Sequence, residues 1–314
     1  MSDQIILHHF DESPFSEKIR LIFGFKGLLW ASVRIPRIMP KPYLMPLTGG
    51  YRRTPVMQIG ADVFCDTQTI IREIERRFPS PTLFPSGASG APWALGMWTD
   101  RPFFQSAVNL VFGALGHKVP QNFIDDRSEL RGARFDVAKM RAAIPQMRDQ
   151  VRAYLSWIEA QLSDGRTWLL EDFSLADVSA YMNVWYVRSS LVSTEDQAVA
   201  GLERIFAGLR RVAAWENRMR AVGHGRRAEM SAEEALAIAA NASPETVAGD
   251  DPDDPNGRKV GDRVRVMPED YGRIEVPGEI VSLSGQHIAI RRIDERVGEI
   301  VVHFPRAGFV VLPG

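Results

Sequence analysis

The sequence predicts a multidomain chain in which an α/β domain is followed by an all-α helical domain and a small all-β barrel. Three observations predict it. A length of 314 residues with 45% hydrophobic content exceeds one typical domain and can fill several buried cores. The apolar period changes twice, from mixed strand and helix patterns up to residue 80, through helical spacing over 90–245, to alternation over 258–314. Two stretches with neither period separate these blocks: residues 80–90, rich in Pro, Gly and Ser, and residues 250–257, acidic with two prolines.

In the first block, residues 4–10 are apolar and β-branched enough for a short buried strand. Ser13 then offers an N-cap, Pro14 suits the first helical position, and Ile19, Ile22 and Phe23 recur at helical spacing until Gly27. Residues 29–35 supply a second strand, giving a βαβ opening with parallel strands. Pro36, Pro40, Pro42 and Pro46, then Gly49 and Gly50, exclude regular structure in the next segment. Residues 55–59 and 62–65 read as an antiparallel hairpin around Gly60, since so short a connection allows no parallel crossover. Asp66 and Thr67 precede a helix through Ile70, Ile71, Ile74 and Phe78.

Beyond residue 90 the pattern predicts a helix over 92–115, a second over 129–162 kinked at Pro145, and a third from Ser174. Ser174 and Asp177 form a capping box, so Asp177 is assigned a structural role. Ser231 and Glu234 form another, opening a short helix that ends near Ala242. From Val264 the alternation predicts about five short strands, the size of a small SH3-like barrel.

Composition excludes several classes. A net charge of −1 gives no general preference for nucleic acid or membrane. In residues 258–314, nine basic and eight acidic side chains leave a net of +1 beside the acidic run at 250–254, so the barrel is expected to bind no nucleic acid. One cysteine, Cys65, cannot form an intrachain disulfide, which suits a reducing compartment and a cytoplasmic location. No basic region followed by an apolar core opens the chain, and no stretch predicts a membrane span. His8, His9 and His117 lack partners at metal-ligand spacing, so no metal is expected.

Taken alone, Ser13 is either a helix cap or a hydroxyl beside the positive end of a helix, where a thiolate or other anion is favoured. Asp66 and Thr67 carry the same two readings, and Lys41, Arg52 and Arg53 are either solvated loop charges or a local set of cations. Their order along the chain carries a resemblance. Ser13-Pro14-Phe15-Ser16, Arg53-Thr54-Pro55-Val56 and Asp66-Thr67 resemble, in this order, three turns of the thioredoxin-like domain of the glutathione transferase family, of its serine-type classes.

The resemblance implies a thioredoxin-like glutathione-binding domain over 1–80 and the family's all-helical domain over 90–245, and it does not cover 258–314. It implies glutathione as co-substrate, a small hydrophobic electrophile as partner and a homodimer. Ser13 would stabilise the thiolate, with Ser16 as the other available hydroxyl. Lys41 and Arg53 would hold the glycine carboxylate, Thr54 before a cis Pro55 would lend its backbone to the cysteine part, Thr67 would take the γ-glutamyl carboxylate and Asp66 the amine. Asp66 is one methylene shorter than the Glu usual in the family. Trp93, Met97, Trp98, Phe103, Phe104 and Phe112 are core residues or the lining of an electrophile pocket. The alternative is a non-catalytic glutathione transferase fold serving as a scaffold, with the C-terminal barrel as its interaction module.

Overall fold

The computed structural model describes residues 4–87, 89–191 and 201–314. The first three residues, on which part of the leader reading rests, and Ala88 of the linker lie outside the described residues. The first domain follows its local signals. Strand β1 (Ile6–His9), helix α1 (Pro14–Phe25) and parallel strand β2 (Leu29–Arg34) form the opening unit, with Ser13 capping α1. A four-residue helix α2 (Met45–Thr48) is the one regular element in the proline-rich segment. Strand β3 (Val56–Ile59) runs antiparallel to β1 and to β4 (Asp62–Cys65), turning at Gly60, whose φ of 56° suits glycine. Strands β1, β3 and β4 are buried throughout, and their polar residues His8, His9, Gln58 and Asp62 are each hydrogen-bonded. Helix α3 (Thr67–Arg77) follows, capped by Asp66.

The helical block departs from expectation in its boundaries. Helix α4 (Gly90–Trp98) continues through a π turn at Thr99–Phe103 into α5 (Phe104–Leu115); Pro102 lies in that turn, where its missing N–H is tolerated. In place of one long helix over 129–162 there are three: α6 (Gln121–Arg131), α7 (Val137–Ala142) and α8 (Ile144–Gln161). Gly132 ends α6 in the left-handed region, Asp136 caps α7 by accepting from the Lys139 N–H, and Pro145 opens α8 instead of kinking it. Helix α9 (Leu175–Leu191) is almost wholly buried between α1, α4, α5 and α10 (Arg210–Val222).

Asp177 on α9 is structural, as the capping box implies. One carboxylate oxygen accepts from Leu169 N and Trp215 Nε1, each at 2.9 Å, and the other from the N–H and hydroxyl of Ser174, each at 3.1 Å. The group is fully buried, and burial outweighs those bonds to push its pKa up to about 6.

The C-terminal strands, which the sequence reading sets apart as a small SH3-like barrel, are joined to the sheet of the first domain. Strand β5 (Arg226–Glu229) adds parallel to β2, and helix α11 (Ala232–Ala240) carries the predicted capping box. Strands β6 (Arg263–Pro268), β7 (Val276–Ser284), β8 (His287–Asp294) and β9 (Gly298–Pro305) make an antiparallel meander, and β10 (Phe309–Pro313) returns to pair with β6. Strand β9 also pairs parallel with β4, so all ten strands form one sheet in the order β10-β6-β7-β8-β9-β4-β3-β1-β2-β5. The joint is held by His303, whose Nε2 lies 2.9 Å from the Asp62 carboxylate and whose ring stacks on Phe64 with centroids 4.2 Å apart. Thr246 bonds the same carboxylate, and the Glu245 N–H donates to it at 2.6 Å. The acidic stretch 250–257 is ordered by docking: Asp254 accepts from Asn256 N and Arg258 N and pairs with Arg306.

Asp177→Ala would strand three buried N–H donors and one hydroxyl. The variant is expected to lose about 3 kcal/mol or more of unfolding free energy. Urea denaturation checks this, and a loss under about 1 kcal/mol would contradict the structural role.

Candidate functional site

Ser13, Lys41, Arg53, Thr54, Pro55, Asp66 and Thr67 all border one cavity of about 440 Å³ between the first domain and the helical domain. A second cavity of about 500 Å³ adjoins it and shares Arg53, Asp66 and Thr67.

Ser13 is buried, and its Oγ accepts from Ser16 N at 3.2 Å, so the cap reading is realised. That bond uses an oxygen lone pair and leaves the hydroxyl proton free to donate. Pro14 has no N–H, Ser16 N is taken by Ser13, and Glu17 N donates to the Ser13 carbonyl. The Phe15 N–H therefore has no intramolecular acceptor among the described residues. An anion here would meet one hydroxyl, one amide and the positive end of α1. Ser16 is fully buried behind the wall and does not border the cavity.

The Thr54–Pro55 peptide is cis. Asp66 has φ 79° and is the one non-glycine described with a positive φ, a conformation Asp tolerates through a local bond from its side chain. That bond is accepted from Gln68 N at 2.9 Å. Burial pushes the Asp66 carboxyl above its ordinary pKa, and no cation forms an ion pair with it among the described residues. Thr67 is buried beside it, and its hydroxyl makes no hydrogen bond to another described residue.

The two basic candidates part ways. Lys41 is buried, its Nζ donates to the Arg52 carbonyl at 3.0 Å, and no described carboxylate pairs with it. Burial first, and then the charges of Arg127 and Arg52, bring its pKa down to about 8. Arg53 is not available as a free cation: it pairs with Asp270, donates to the Tyr271 carbonyl, and lies 3.8 Å over the Tyr271 ring. Asp270 and Tyr271 sit on the β6–β7 loop, which also reaches the helical domain through Gly272 N donating to Leu130 O at 2.6 Å and Glu269 pairing with Arg101. Nothing local in the sequence marks them as site residues, because their place depends on how the C-terminal strands join the sheet.

Of the aromatic candidates, Phe104 and Phe112 border the main cavity and Met97 the adjoining one, whereas Phe103 is core and Trp93 and Trp98 border neither. Cys65 is buried and free, with its thiol pKa pushed up by burial. His8 bonds Gln58, and His9 bonds Ser32 and Arg20. Among the described residues no cluster could hold a metal ion, and no helix is long and apolar enough to cross a membrane.

Residues 7–82 match the family model of the glutathione S-transferase N-terminal domain, and residues 141–218 that of the C-terminal domain. A GST-like protein from Pseudomonas syringae is 36% identical, with a TM-score of 0.79 over 99% of this chain and 100% of that one. FtsZ-localized protein A from Caulobacter vibrioides is 29% identical over 187 residues, 57% of this chain and 75% of that protein. A glutathione S-transferase from Methylobacillus flagellatus, solved with glutathione bound, is 16% identical with a TM-score of 0.50, covering 70% of this chain and 99% of that one.

The buried ammonium of Lys41 makes a pH prediction. Its folded pKa of about 8 lies below the ordinary lysine value of 10.5, so between the two the unfolded chain holds the extra proton and stability rises with pH. The burial cost is fully present below about 8. Relative to Lys41→Met, the wild type should gain up to roughly 1.4 kcal/mol per pH unit between these values. Urea unfolding of both proteins across that range checks it, and parallel curves would contradict it.

Proposed function

The chain belongs to the glutathione S-transferase family, and on that premise we propose that it binds glutathione in the main cavity and activates the thiol for attack on a small hydrophobic electrophile, or for glutathione-dependent reduction. The convergence of Ser13, the cis Thr54–Pro55 turn and Asp66-Thr67 on one cavity supports this reading. A free thiol has a pKa of about 8.5, and each 1.4 kcal/mol of preferential thiolate stabilisation raises the thiolate-to-thiol ratio about tenfold. The Ser13 hydroxyl, the free Phe15 amide and the α1 terminus are the groups that supply it. The thiolate then forms a C–S bond with the electrophile as the leaving group departs with its electron pair, and the thiol proton passes to water.

On this reading the γ-glutamyl end lies at the start of α3, with its carboxylate on Thr67 and its ammonium on Asp66. The Thr54 backbone takes the cysteine part. Lys41 takes the glycine carboxylate alone, because Arg53 is committed to Asp270. A cytoplasmic location and a homodimer, the first domain of one subunit against the helical domain of the other, belong to the same reading.

A second reading, a glutathione transferase fold kept as a non-catalytic scaffold, is favoured by the similarity to FtsZ-localized protein A and by the appended strands. Retention on immobilised glutathione with turnover of a generic electrophile supports the enzyme; neither property supports the scaffold.

Ser13→Ala should lower turnover about tenfold or more while changing glutathione affinity less than about twofold, whereas Thr67→Ala should mainly weaken binding. The thiol pKa of bound glutathione, read from thiolate absorbance, should rise in the Ser13 variant alone. Full activity in Ser13→Ala with loss in Ser16→Ala would assign the role to the other hydroxyl. Light scattering should give twice the chain mass of 35.2 kDa, and a monomer across micromolar concentrations would refute the dimer.

A further inference from the structure

The helical-domain wall of the main cavity carries an aromatic surface and two polar groups that the proposed glutathione site does not use. Phe112 stacks on Phe123 with centroids 5.8 Å apart, and Phe135, itself buried, backs Phe112 edge-on at 5.0 Å, so Phe112 and Phe123 form the aromatic surface of the wall. Tyr186, on α9, borders this wall and is only 9% exposed. Its hydroxyl makes no hydrogen bond among the described residues and is not sealed off from the cavity, so it is free to donate to a ligand there.

Arg131 ends α6 with its guanidinium 5.0 Å from the centre of the Phe135 ring. Arg37, Arg52, Arg53 and Arg127 in the same cavity each pair with a carboxylate, to Glu12, Asp126, Asp270 and Asp126 respectively. Arg131 pairs with none among the described residues, so its fork of donors faces the cavity. A cation in the last turn of a helix complements the helix dipole, which accounts for a charge at this position but not for one left unpaired among paired neighbours. The Arg131 and Arg127 charges both reach the Tyr186 hydroxyl, so anion-favouring groups share one side of the cavity.

We infer that this wall binds an aromatic acceptor bearing a carboxylate, its ring against Phe112 and Phe123 and its carboxylate on the Arg131 guanidinium and the Tyr186 hydroxyl. The inference rests on the reading of the cavity as a substrate site and names the substrate class. Arg131 and Tyr186 act as specificity residues and take no part in binding glutathione. A planar carboxylate matches the guanidinium fork, and its oxygens give the tyrosine hydroxyl the acceptor it lacks.

Calorimetric titration of the full chain with 2-naphthoate and its neutral analogue 2-naphthamide tests this without requiring turnover. The acid should bind about tenfold or more tighter than the amide. Arg131→Gln should erase that preference and leave naphthamide affinity unchanged, and Tyr186→Phe should weaken naphthoate about threefold with naphthamide unaffected. Arg131→Lys keeps the charge without the fork, should retain part of the preference, and serves if Arg131→Gln does not fold. Equal affinity of the two probes, absence of binding by either, or a preference that survives loss of the guanidinium would overturn the inference. S-methylglutathione is titrated separately: if it fails to bind while the Arg131-dependent preference holds, the glutathione reading falls and the acid-selective wall stands.

Discussion

An open edge of a buried sheet is the constraint on which the rest of this structure depends. Strand β4 is fully buried, so its outward backbone groups need partners. Strand β9 supplies them by parallel pairing, Asp62 opposite Val301, Val63 opposite Val302 and Phe64 opposite His303. A buried carboxylate facing a buried imidazole fixes the register, because a slip of β9 by one residue would part His303 from Asp62 and turn it to the other face of the sheet. The opposite edge is closed in the same way by β5 on β2. With both edges filled from within the chain, the C-terminal strands are part of the first domain's sheet, and the β6–β7 loop comes to rest against the cavity.

The same arrangement explains how the cavity handles charge. Helices α1 and α3 both begin at it, contributing positive ends, while most nearby cations are neutralised by carboxylates drawn from other segments. Neutralisation comes from Asp126 on α6 and from Asp270 on the appended unit, so each structural block contributes to the electrostatics of one space. What stays unpaired is then selective. Among the described residues Lys41, Asp66 and Arg131 form no ion pair, whereas Arg37, Arg52, Arg53 and Arg127 beside them do.

Much of the candidate site was legible in the sequence because local chemistry marks the turns that border the cavity. Ser13 before Pro14, Pro55 after Thr54, and Asp66-Thr67 ahead of an apolar helical run are cap and turn signals whose meaning survives without tertiary context. The apolar period runs across Gly132 and Asp136, so it predicts one helix over 129–162 where three form, although both residues carry boundary signals. Strand β5 has the polar sequence RRAE and is bound to β2 by backbone pairing, so no alternation announces it. Asp270 and Tyr271 were invisible for a deeper reason: their contact with Arg53 spans more than 200 residues and follows from the β4–β9 joint, a pairing that no local pattern encodes.

That joint also orders events in time. Asp62 and His303 are 241 residues apart, so on a chain made from its N-terminus the sheet of the first domain cannot close until almost the last strand has been synthesised. Through the whole synthesis of the helical domain, β4 keeps an exposed, strongly apolar edge of the kind that invites pairing with other chains. Nascent chains of this protein therefore have more need of a holding chaperone than a domain whose sheet is complete within its first eighty residues. Premature termination anywhere before β9 leaves a product that is sticky as well as short.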